Sequence, residues 1–188
     1  MKATCIVGSA RSNGSTACLI DAVIQGMRTV GVQPVKHCIG DKNIQYCRGC
    51  KKCYTDGQCI QQDDVLEIVS DILTSDYVII AAPSYWADVP GQLKTFFDRN
   101  TPFGDTNPNR VLQAKKGSKG IAIALRAGTH HAENQLILNA IQHYYGHLGI
   151  TPVQSISICG VDTLQDLLEK QPEEIANMHA LGANLLAL

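Results

Sequence analysis

The 188-residue chain contains no apolar run long enough to cross a bilayer, so it carries no transmembrane helix. It lacks a charge excess of either sign, with sixteen basic residues against seventeen acidic ones. That balance gives no positive field for nucleic acid or an anionic membrane, and no run of like charges marks an interaction tail. Internal repeats, low-complexity tracts and linkers rich in Pro, Gly or Ser are absent too, so nothing in the sequence divides the chain into separate domains. Near Met1 the longest apolar run is five residues, Ala3 to Val7, before Gly8 and Arg11 interrupt it. A secretory signal needs a longer apolar core. The expectation is a cytoplasmic protein whose thiols stay reduced.

What remains is an ordinary globular composition, 45% hydrophobic and 18% charged, at a length suited to one domain over residues 1–188. Short apolar runs alternate with helical patterns. Ala3–Val7, Val32–His37, Tyr77–Ala82, Gly120–Leu125 and Val153–Ile158 read as strands. Tyr77–Ala82 is apolar on both faces, as a central parallel strand must be. Helices are expected from Gly14 to about Val30, after an Asp63 or Asp64 cap, from Pro90 in a first turn, over Thr129–Leu148, and as one amphipathic helix in the tail. Five strands, each followed by a helix, give a parallel sheet covered on both faces. Ligands of such sheets bind outside the carboxyl ends of the strands.

Three loops fall at that edge. The first, Gly8–Thr16 (GSARSNGST), has neither the lysine of a P-loop nor the three glycines of a dinucleotide fingerprint. It offers Ser9, Ser12, Asn13, Ser15 and Thr16, the backbone at Gly14, and the charge of Arg11. This set suits a terminal phosphate monoester at a helix N-terminus; the plainer alternative is a polar turn that caps the helix. The second, Ala82–Gln92 (APSYWADVPGQ), follows the most buried strand and presents Pro83, Ser84, Tyr85 and Trp86. Its two aromatics suit a flat heteroaromatic ring, or a subunit interface. The third, Arg126–His131 (RAGTHH), has Gly128 for close approach of backbone to ligand. Its adjacent histidines read as solvated helix-cap residues, because sequence neighbours seldom share a face. A phosphate loop, an aromatic loop and a glycine loop at one sheet edge describe FMN.

GSARSNGST resembles the phosphate loop of the flavodoxin-like NAD(P)H-dependent FMN reductases, and APSYWADVPGQLKTFFDR is similar to their ring-binding stretch. The resemblance implies a flavodoxin-like three-layer α/β sandwich with strand order 2-1-3-4-5. It places FMN phosphate on Ser9, Arg11, Asn13, Ser15 and Thr16, and the ring beside Pro83, Ser84, Tyr85 and Trp86. Arg126 is expected to face either the flavin edge or a carboxylate. Two departures from the family pattern stand out: Ala87-Asp88-Val89-Pro90, bulkier and more acidic than usual, and Arg126-Ala127, where small residues are commoner. The family also implies NAD(P)H as co-substrate, a small-molecule or redox-protein acceptor, and a homodimer or homotetramer. No side chain stands out as a catalytic acid or base.

Four of the eight cysteines lie in one loop insertion at about residues 40–62, spaced Cys47-x2-Cys50-x2-Cys53-x5-Cys59. Gly49 and Gly57 are expected to ease tight bends, and Arg48, Lys51 and Lys52 to offset thiolate charge. Three readings remain open: a 4Fe–4S cluster, redox-active or unliganded thiols, and zinc. The spacing resembles the compact motif of the iron–sulfur flavoproteins, a branch of the same superfamily. That resemblance implies a cluster held by Cys47, Cys50, Cys53 and Cys59, exchanging single electrons with FMN and a partner such as ferredoxin. Cys5, Cys18, Cys38 and Cys159 read as small core residues. The competing functions are a flavodoxin-type electron carrier without its own substrate, and a thiol or metal sensor on the same scaffold.

Overall fold

The computed structural model describes residues 1–188. Each apolar run forms a strand: β1 (Lys2–Val7), β2 (Gln33–Cys38), β3 (Tyr77–Pro83), β4 (Lys119–Arg126) and β5 (Thr151–Cys159). All neighbours pair in parallel, in the order β2-β1-β3-β4-β5, which is the flavodoxin-like arrangement. Tyr77 to Ala82 lie at the centre and are buried throughout. β2 and β5 take the two edges, where their more polar sequences are tolerated.

Seven helices accompany the sheet: α1 (Ser15–Thr29), α2 (Cys53–Asp56), α3 (Val65–Thr74), α4 (Gly91–Arg99), α5 (His131–Leu148), α6 (Leu164–Lys170) and α7 (Pro172–Ala183). Side chains alternate across each strand. Ala3, Cys5 and Val7 of β1, with Tyr77, Ile79 and Ala81 of β3, pack against α1, α6 and α7. Ile6, Val78, Ile80 and Ala82 face α3, α4 and α5. On the first face α1 and α7 approach through glycines: a Cβ at Gly26 would lie 2.0 Å from the His179 carbonyl oxygen, and one at Gly182 2.1 Å from that of Val23.

Several local expectations shift. The tail forms two helices, because Pro172 has no N–H to continue α6 and instead opens α7. Pro90 is the extended residue before α4 rather than part of its first turn. Of the two aspartates before α3, Asp63 accepts the Val65 N–H at 3.3 Å, while the Asp64 side chain makes no capping bond. Cys5 is fully buried as a core residue, but Cys18, Cys38 and Cys159 are only half-buried. No helix is long and apolar enough to cross a membrane.

Candidate functional site

The parallel order brings the carboxyl ends of all five strands to one edge, and the three loops and the cysteine insertion all emerge from it. In the first loop Ser9, Ser15 and Thr16 are buried, Ser12 is half-buried, and Arg11 and Asn13 are exposed. Ser9 Oγ accepts the Arg11 N–H at 3.0 Å, and Arg11 Nη2 donates to the Asp162 carbonyl at 3.3 Å. Gly14 precedes α1, whose N-terminus has no side-chain cap and no acidic residue in its first turn. The loop's hydroxyls therefore do not cap the helix. Ser15 Oγ is buried without a hydrogen-bond partner. A buried orphan acceptor-donor beside uncapped N–H groups is costly unless an anion completes it.

The second loop leaves β3 at Pro83. Ser84 N–H donates to the Leu125 carbonyl at 2.7 Å, and Ser84 Oγ donates to Glu133 at 2.6 Å. Tyr85 and Asp88 then exchange two backbone bonds, 2.9 and 3.1 Å, around Trp86 at φ +54° and Ala87 at φ +59°. Both central residues are left-handed, as in the mirror-image turns that normally use Asn or Gly. Each costs roughly 1–2 kcal/mol in this conformation. Trp86 is wholly exposed and Tyr85 partly so.

In the third loop Arg126 turns back on its own chain. Its guanidinium pairs with Glu133 at 2.6 Å and donates to the His130 carbonyl at 2.6 Å, so of the two expected partners it meets the carboxylate. A Cβ on Gly128 would lie 2.6 Å from Arg126 Nη2, so a side chain there would have to push the folded-back guanidinium aside. The Gly128 carbonyl accepts Gly160 N–H at 3.0 Å, tying the loop to the end of β5. Glu133 is the residue sequence reasoning missed: it joins the second loop through Ser84 and the third through Arg126. The Ser84 hydrogen bond chiefly, with the Arg126 charge and the Ala87 N–H, holds the Glu133 carboxyl below its usual range against the opposing effect of burial. Its position in the first turn of α5 was the available signal. His130 is an exposed residue before α5, and His131 bonds Ser157 Oγ at 2.8 Å.

The cysteine insertion is closed at its neck by a buried ion pair. Arg99 meets Asp63 at 2.5 and 3.0 Å and the Gln45 carbonyl at 2.7 Å, while Asp63 accepts Gln45 N–H at 3.1 Å. Both charged side chains are nearly fully buried. Beyond this neck Cys47 and Cys50 are exposed, and Cys53 and Cys59 half-buried. Gly49 and Gly57 are left-handed, as expected of bends. Lys52 pairs with Asp56 rather than with a thiol. The four cysteines line one cavity of 160 Å³ together with Arg48, Lys51 and Arg99. Burial pushes the Cys53 thiol up, and the neighbouring Cys59, Cys47 and Cys50 push it further. The donor set and its common cavity fit a soft, thiolate-bound centre. The thiols are nevertheless not drawn together: no three His, Cys, Asp or Glu side chains are gathered as a metal site in this structure.

A model of the family described as NADPH-dependent FMN reductase matches residues 1–159, a span that holds all three loops and the insertion. The chain belongs to that family. An iron-sulfur flavoprotein of Archaeoglobus fulgidus is 35% identical over 153 residues, covering 81% of this chain and 66% of that protein. An iron-sulfur flavoprotein of Methanocaldococcus jannaschii is 33% identical over 137 residues, covering 73% of this chain and 68% of that one. The match to the Archaeoglobus protein thus spans just under two thirds of its length. The solved NAD(P)H:quinone oxidoreductase from Methanothermobacter marburgensis superposes with a TM-score of 0.73, covering 99% of this chain and 97% of its own, at 14% identity. At that identity it speaks to fold alone. α6 and α7 lie beyond the family match.

Proposed function

We propose that this FMN reductase family member binds FMN at the three-loop edge and passes electrons from NAD(P)H to a quinone, flavin or redox-protein acceptor. The observation that carries the reading is the buried, partnerless Ser15 Oγ at the uncapped start of α1, flanked by Ser9, Thr16 and the cation of Arg11. These groups supply hydroxyl and amide donors and one positive charge to a phosphate monoester. Ser12, Asn13 and Gly14 complete that loop. Pro83, Ser84, Tyr85 and Trp86 flank the ring, and Gly128 lets backbone approach it. Because Glu133 neutralises Arg126, the charge beside the ring is balanced. FMN, when bound, supplies a ring that takes hydride and releases electrons singly or in pairs. Titrating the full chain with FMN tests this: quenching of the single Trp86 and one-to-one binding are expected, and an unchanged Trp86 signal with no binding contradicts it.

The cysteine loop supports a further part of the reading, in which Cys47, Cys50, Cys53 and Cys59 hold a 4Fe–4S cluster that supplies one-electron chemistry. Its support is the shared thiol-lined cavity and the likeness to proteins named iron-sulfur flavoproteins. A cluster favours a redox-protein partner such as ferredoxin. Iron and sulfide analysis after anaerobic purification decides it: about four irons per chain support the cluster, and flavin bands without iron reject it. The same reading takes the protein as a cytoplasmic homodimer or homotetramer, with exposed Tyr85 and Trp86 available at a subunit contact.

A further inference from the structure

The largest cavity, 450 Å³, lies away from the phosphate loop, between α4 and the last turns of α5. Two histidines stand on its rim. His143 and His147 are four residues apart on α5 and so share a face. Their Nε2 atoms approach to 3.0 Å, with the rings edge-on. Behind His147, Asp105 Oδ1 sits 2.6 Å from Nδ1, and the Asp105 N–H donates to the His147 carbonyl at 2.9 Å. The carboxylate is thus fixed by two contacts to one residue. With Nδ1 turned to the Asp105 carboxylate, an acceptor, His147 directs its Nε2 at His143.

We propose that His143 and His147, with Asp105 behind them, form a surface site for a divalent transition-metal ion of the copper or nickel type. The arrangement is that of metal-ligating histidines, whose second ring nitrogen is held by a carboxylate that fixes the tautomer. His143 becomes a ligand by moving its proton from Nε2 to Nδ1, which changes no charge. The spacing selects the metal. With metal–nitrogen bonds of about 2.0–2.1 Å, nitrogens 3.0 Å apart subtend about 91–97°. That angle suits adjacent positions of a square-planar or octahedral ion, whereas a tetrahedral ion needs them about 3.3–3.4 Å apart. Nickel and copper therefore fit before zinc, and hard oxygen-seeking ions such as Mg²⁺ and Ca²⁺ are not bound. Only two protein ligands are supplied; the cavity, also lined by Tyr54, Asp88 and Asp98, leaves room for water or an external ligand in the remaining positions. The simpler account is a His–His hydrogen bond alone, which predicts no metal affinity. The site does not depend on the flavin reading.

Calorimetric titration of the full chain with Ni²⁺ tests it. One site is expected that weakens at least tenfold in His143→Ala and His147→Ala, and about ten- to hundredfold in Asp105→Asn, the usual loss when such a carboxylate is removed. Zn²⁺ should bind it more weakly than Ni²⁺. Nickel held by the cysteine loop is told apart because it persists unchanged in His143→Ala. An isotherm identical in wild type and His143→Ala overturns the proposal, as does tighter Zn²⁺ than Ni²⁺ binding at the histidine-dependent site. His143 is exposed, so its variants should fold; far-ultraviolet circular dichroism checks this, and His143→Gln repeats the comparison if His143→Ala fails.

Discussion

Replacing Asp63 with alanine should be the most damaging single change at the neck of the cysteine insertion. The substitution removes both bonds to Arg99, at 2.5 and 3.0 Å, and the acceptors for Gln45 N–H at 3.1 Å and Val65 N–H at 3.3 Å. It leaves the Arg99 guanidinium, 1% exposed, without a counter-charge. Arg99 Nε already lacks a partner, and the Gln45 carbonyl at 2.7 Å, which remains, is a neutral acceptor. Removing one member of a buried pair costs about 3–5 kcal/mol, against well under about 1 kcal/mol for exposed pairs. At an m-value of about 2 kcal/mol/M, the urea midpoint should fall by roughly 1.5–2.5 M. A fall below about 0.5 M would mean that the pair behaves as a surface contact, and the reading of the neck would be wrong. The pH dependence has a fixed sign. Burial works to raise the Asp63 pKa, but the Arg99 hydrogen bonds, with those from Gln45 and Val65, hold it below the usual range. A depressed folded pKa contributes stability that is present above about pH 3.9, the value in an unfolded chain, and is lost as pH falls through the folded value. The wild-type minus Asp63→Ala difference should therefore shrink on acidification below about pH 3.9.

Other outcomes follow from single contacts. Arg11→Ala and Ser15→Ala should each weaken FMN binding by roughly ten- to hundredfold in fluorescence titration, the range of a lost charge-assisted hydrogen bond; unaltered affinity in both would remove the phosphate site from α1. Ala87→Gly should raise the thermal midpoint, with about 0.5–1 kcal/mol gained as left-handed strain is relieved, and a lowered midpoint would contradict the strained turn. Gly182→Ala should destabilise the fold by about 1–3 kcal/mol or more in urea, because its Cβ meets Val23 backbone at 2.1 Å; a neutral result would show that α1 and α7 can part at little cost.

The layered sheet was legible because its signals are local. Continuous burial along Tyr77–Ala82 and apolar or helical spacing elsewhere name the elements, whereas their order 2-1-3-4-5 came from the resemblance to the flavodoxin-like FMN reductases. The loop chemistry was legible where one short segment carries it, as in Gly8–Thr16. The partners of contacts that join distant segments could not be read from the sequence. Glu133 binds Ser84 and Arg126 and so joins two loops, and Arg99 reaches back to Asp63 and Gln45. Backbone strain was hidden as well: Trp86 and Ala87 have ordinary side chains for a loop but a conformation fixed by the paired Tyr85 and Asp88. The cysteine spacing was plain, yet spacing alone does not close thiols around a metal, and here they share a cavity without converging.

The most direct test of the account mixes the FMN-loaded chain anaerobically with NADH and with NADPH while the flavin's visible absorbance is followed. Reduction by at least one nucleotide within the time of a catalytic turnover, reversed by a quinone, is the predicted result. A flavin that binds at the three loops yet bleaches with neither nucleotide would contradict the reductase reading and leave an electron carrier in its place.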